Sequence, residues 1–107
     1  MKEKSGKDAT GRTMFELIDC PGIQYSLICD MVMDRFGMIQ ENFLTEGLDE
    51  VFQDFRLGKS IIGIEWDNWL GLCIVAKTSC ANDLVHKIGT FLEQSEVYTV
   101  KDQKSIE

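Results

Sequence analysis

The feature that most constrains the fold of this chain is the segment SIIGIEWDNWLGLCIVAK, residues 60–77, where apolar side chains stand at both parities around Asp67 and Asn68. A strand with one wet face alternates apolar and polar residues, whereas a strand apolar at both parities is covered on both sides. Asp67 and Asn68 both tolerate positive φ, so the segment predicts a hairpin closed by a two-residue turn. That register sets Trp66 against Trp69, Ile64 against Gly71 and Ile62 against Cys73. Trp66 and Trp69 are then either a cross-strand pair that stabilises the hairpin or, if exposed, an aromatic anchor for a partner.

The rest of the chain supplies helices and further strands. TMFELID, residues 13–19, alternates enough to form a strand. Asp19 is placed to N-cap a helix over 22–36, with Pro21 in its first turn. Leu27, Ile28, Met31, Val32 and Arg35 recur at helical steps, and Gly37 suits a left-handed cap. Residues 38–44 read as a short strand or a loop. Leu48, Val51, Phe52 and Phe55 then repeat at i, i+3, i+4 and i+7, which predicts a helix capped by Thr45 and terminated by Gly58.

A last helix over 80–94 carries Leu84, Val85, Ile88, Phe91 and Leu92 on its apolar face, with Ser79 or Asn82 as its cap. VYTV, 97–100, reads as an edge strand. The sum is an α+β domain over 13–100: a small, mostly antiparallel sheet with a central hairpin, packed by two or three helices. Residues 1–12 read as a disordered tail and 101–107 as a polar one.

Charge narrows the partners. The 107-residue chain has net charge −7, yet residues 13–54 alone hold nine acids against Arg35, a net −8. Such a field disfavours nucleic acid and anionic lipid and attracts basic proteins. No apolar run is long enough to span a bilayer and no secretory segment precedes the domain, which points to the cytoplasm.

Chemistry has few candidates. Cys20 precedes a predicted helix, where a thiolate is favoured, and His86, the sole histidine, would have to be its base. Asp30/Asp34 and the predicted-helical Glu50/Asp54 are carboxylate pairs at i, i+4, a pattern that usually marks a solvated face. The cysteines at 20, 29, 73 and 80 have eight and six residues between the members of each pair, too many for the short ligand pairs of zinc sites, so each reads as a buried thiol and no metal or cofactor is expected.

These observations favour a non-catalytic, acidic protein-binding module. Its contact residues would be Asp30, Asp34, Glu46, Asp49, Glu50, Asp54, Glu65, Trp66, Asp67 and Trp69. In size and charge, though in no aligned motif, the chain is similar to bacterial immunity proteins. That profile implies a small inhibitor that neutralises a basic partner such as a toxin nuclease. The alternatives are a small enzyme using Cys20 with His86 and a self-associating module, a homodimer built through a sheet edge.

Overall fold

The computed structural model describes residues 2–7 and 12–95, the first stretch by its backbone alone. The chain runs β1 (Lys2–Lys7), β2 (Thr13–Ile18), α1 (Tyr25–Phe36), β3 (Ile39–Gln40), β4 (Thr45–Glu46), β5 (Glu50–Leu57), β6 (Ser60–Asp67), β7 (Gly71–Ala76) and α2 (Asn82–Glu93). All seven strands join one antiparallel sheet in the order β1-β2-β7-β6-β5-β3, with β4 also pairing with β5. The α+β expectation holds, with α1 carrying the chain from β2 to the opposite side of the sheet. β1 lies within the segment expected to be a disordered tail, and VYTV falls outside the described residues.

One face of the sheet carries the core. Cross-strand partners share a face, which gives the rows Leu17–Leu72–Trp66–Val51, Phe15–Ile74–Ile64–Gln53 and Ala76–Ile62–Phe55. Against them pack Tyr25, Ile28, Cys29 and Val32 of α1 and Leu84, Val85, Ile88 and Leu92 of α2. Full burial of each large aliphatic side chain contributes about 1.5–3 kcal/mol. Gly89 lets α2 approach β2, since a Cβ there would stand 2.7 Å from Phe15 Cδ1.

The opposite face carries Glu16, Phe52, Asp54, Arg56, Ile61, Glu65 and Cys73, all at least partly exposed. Among the described residues no helix covers it, which corrects the expectation of a sheet covered on both sides. Gly63 contributes to this face by leaving room for the Lys77 stem: a Cβ there would lie 2.6 Å from Lys77 Cε.

Three further expectations are corrected. Residues 50–57 form a strand, so Thr45 caps nothing and Gly58 ends no helix. Gln53 hides the alternation. It is buried between Val51 and Phe55 on the core side, its amide donating to the Asn42 carbonyl at 2.7 Å, while Leu48 and Phe52 point into solvent. Gly58, at φ 61, instead turns the chain from β5 to β6 beside Leu57 and Ser60.

The central hairpin forms, but in a register three residues from the expected one, pairing Trp66 with Leu72 and Asp67 with Gly71. Asp67 Oδ1 accepts the amides of Trp69 at 2.9 Å and Leu70 at 2.8 Å, which closes a three-residue loop in place of the two-residue turn. Trp66 and Trp69 are therefore not a cross-strand pair.

Around the helices, Asp19 and Asn82 cap neither one. Asp19 takes φ 67 in the turn after β2, and Asn82 Oδ1 accepts the Thr13 amide. Gly37, at φ 68, closes α1 as expected. The buried stripe of α1 runs through Tyr25, Ile28, Cys29 and Val32, leaving Leu27 and Arg35 exposed.

Candidate partner-binding surface

At one end of the sheet the loops after β2, before β5 and between β6 and β7 converge. The Asp19 amide donates to the Leu70 carbonyl at 3.2 Å and the Asn68 amide to the Asp49 carbonyl at 2.9 Å. Gly71 lets these strands meet. At φ 105, its added Cβ would stand 2.5 Å from the Leu17 carbonyl oxygen and 2.8 Å from the Cys20 nitrogen. Trp66 anchors the same end from below, its indole N–H donating to the Cys20 carbonyl at 2.7 Å and its ring lying against Gly22.

This end, or tip, has a distinct composition. Ile23, Leu48, Trp69 and Leu70 are exposed there, Trp69 at 74% of its surface. Asp19, Glu46, Asp49, Glu50 and Asp67 stand on the same converging segments, and Glu50 and Asp67 are cross-strand partners. Among the described side chains of residues 18–24, 46–50 and 67–71 there is no lysine or arginine. Like charges facing across strands destabilise a pair, so the fold tolerates a cost here.

The other predicted contact residues separate into different settings. Glu41, which belongs to the same acidic stretch, is held by Arg56 in a bidentate pair at 2.7 and 2.8 Å, and hydrogen bonding from that guanidinium keeps its carboxyl below the usual range. Asp54 accepts from Asn42 Nδ2 and lies 3.9 Å from Lys77, which also pairs with Glu65 at 3.3 Å. Asp30 and Asp34 project from the exposed side of α1. The expected single acidic helix face therefore does not exist. The structure gathers Glu46, Asp49, Glu50, Asp67 and Trp69 and leaves Asp30, Asp34 and Asp54 elsewhere; Glu65 borders the same outer-face depression as Glu50 and Asp67, where it is paired with Lys77, and Trp66 supports the surface as a half-buried strut.

Asp19, Ile23, Leu48 and Leu70 lie outside the contact residues expected from the sequence. Leu48 and Leu70 each neighbour turn-forming residues, a signal that an apolar side chain sits on a loop. Phe43, in the connection between β3 and β4, is likewise exposed at 93%.

The structure does not bring Cys20 and His86 together. Cys20 is buried and lines a cavity at the tip, whereas His86 is exposed on α2. Cys29 is also buried, and burial pushes its thiol up to about 12. Cys80 is exposed, against the expectation of a buried thiol. Hydrogen bonds from Thr78 and then Ser60 hold its thiol below the ordinary value. Among the described residues no three His, Cys, Asp or Glu side chains form a metal-binding group. No described helix is long and apolar enough to cross a membrane.

The fold and surface together define an α+β domain with helices on one face of an antiparallel sheet and an acidic, apolar tip. No match is found among protein-family models, curated proteins or solved structures.

Proposed function

We propose that this chain is a non-catalytic protein-binding module whose sheet tip docks a basic protein. The supporting observation is the coincidence of exposed Ile23, Leu48, Trp69 and Leu70 with five carboxylates on described segments that hold no lysine or arginine, with Lys77 at their margin already paired to Glu65. Apolar anchors ringed by charge of one sign suit a partner of the opposite charge, since the anchors supply affinity and the charges steer encounter. An inhibitor of the immunity type, covering the basic cleft of a toxin nuclease, is the form this takes in our reading. The tip replaces the helix face as the contact surface because Glu41, Asp54 and Glu65 are already engaged by Arg56 and Lys77.

The test is affinity capture at low salt with the native chain, a tip variant carrying Asp49→Lys, Glu50→Lys and Trp69→Ala, and a helix variant carrying Asp30→Lys and Asp34→Lys. A single basic protein held by the native chain and the helix variant, released by salt and lost with the tip variant, supports the reading. Equal capture by the tip variant overturns it.

A further inference from the structure

We propose that the groove between α1 and α2 is a second binding site, for an acidic peptide segment carrying an aromatic side chain. The groove is a surface depression open to solvent, with a volume of ≈ 650 Å³. Its floor is the Phe36–Phe91 pair, packed edge to face with centroids 5.8 Å apart. Its walls carry Arg35, His86 and Lys87, and among the described residues no carboxylate lines it. In a chain of net charge −7 this is a local inversion of sign.

Arg35 is preorganised for such a ligand. Its guanidinium carbon lies 5.3 Å from the Phe36 centroid and 5.9 Å from that of Phe91. A guanidinium whose face rests on aromatic rings keeps its N–H edges available to a carboxylate. Among the described residues neither Arg35 nor Lys87 is in an ion pair, whereas Arg56 and Lys77 are. Phe36 and Phe91 are only partly buried, so part of the aromatic floor is open to a further ring.

The shape favours a peptide over a compact anion. The α2 lining runs from His86 to Gln94, which spans about 12 Å at the helical rise. An extended segment of about four residues covers that length. Carboxylates alternating with an aromatic residue would meet Arg35 and Lys87 on one side and the Phe floor on the other.

The probe is a fluorescein-labelled Glu-Glu-Phe-Glu-Glu-Phe peptide, followed by fluorescence anisotropy on the full chain. The comparison peptides replace Glu by Lys or Phe by Ala. Binding of the acidic aromatic peptide, weakened about fivefold or more by Lys87→Glu and by Arg35→Glu, is the expected result, since reversal replaces attraction by repulsion at each exposed charge. The tip variant leaves that binding unchanged, so this site and the proposed tip fail independently. Equal binding of the lysine peptide, indifference to both reversals, or displacement by inorganic phosphate at the same low concentration as unlabelled peptide overturns the proposal. Both reversals lie on exposed positions, and an unchanged circular dichroism spectrum verifies that each variant is folded.

Discussion

Gly71→Ala tests how the tip is held together. Gly71 combines φ 105 with a crowded Cβ direction, and all three nearest atoms are backbone: Leu17 O at 2.5 Å, Asp19 N at 2.9 Å and Cys20 N at 2.8 Å. Holding alanine at that φ costs about 1–3 kcal/mol. Forcing the β2 turn away from the new methyl adds about 1–3 kcal/mol of overpacking. A total of about 2–6 kcal/mol is a large part of the 5–15 kcal/mol typical of a small domain. Gly58→Ala is the control. Its φ of 61 is also positive, but nothing lies within 4 Å of its added Cβ, so only strain of about 1–2 kcal/mol applies. Urea unfolding read by tryptophan fluorescence gives both values from the midpoint at constant slope. Equal losses in the two variants would refute the reasoning, because they would mean that the backbone contacts around Gly71 cost nothing.

Tyr25→Phe removes the hydroxyl that donates to the Ile64 carbonyl at 2.6 Å, and urea unfolding should record a loss of about 1–2 kcal/mol. Burial, then the neighbouring Cys29, raises the Tyr25 phenol above its ordinary value. Its contribution is therefore complete below the unfolded value near pH 10 and falls as pH rises towards the folded one; the native chain should lose stability on that alkaline limb more steeply than Tyr25→Phe. Glu41 has the opposite sign: its lowered folded value gives stability above about pH 4.3 that disappears as pH falls through the folded value, and Glu41→Gln should flatten this acid limb in urea titrations. Iodoacetamide should alkylate Cys80 before Cys29, with a midpoint below the ordinary thiol value of about 8.5, and mass spectrometry that finds Cys29 modified first would contradict the assignment.

Much of the fold was legible where one signal dominates. β2, α1, α2 and the cap at Gly37 follow from alternation, helical periodicity and a glycine with positive φ. The reading failed where a polar side chain took a core position. Gln53 satisfies its amide on the Asn42 carbonyl, so β5 lost its alternation, and Leu48, Val51, Phe52 and Phe55 mimicked a helix. Gly58 carried the right conformational message for the wrong element, since a left-handed glycine serves a hairpin as well as a helix end.

The candidate surface was half legible for the same reason. Charge and aromaticity mark Asp49, Glu50, Asp67 and Trp69 in the sequence, but only the three-residue loop at 68–70 brings Trp69 beside the acids. The loss of Glu41, Asp54 and Glu65 to Arg56 and Lys77 depends on register, which local sequence does not fix.

The most direct measurement on the central claim, an exposed aromatic anchor in a negative field at the sheet tip, is ionic quenching of Trp69 in a Trp66→Phe variant. Caesium, iodide and neutral acrylamide are compared at low ionic strength, each normalised to free N-acetyltryptophanamide. Ready quenching by acrylamide, with caesium favoured over iodide by about twofold or more and the preference erased by salt, is the predicted result, since a surface potential of about one kT changes local ion concentration by that order. Iodide quenching as strong as caesium quenching, or a Trp69 shielded from acrylamide, would contradict it.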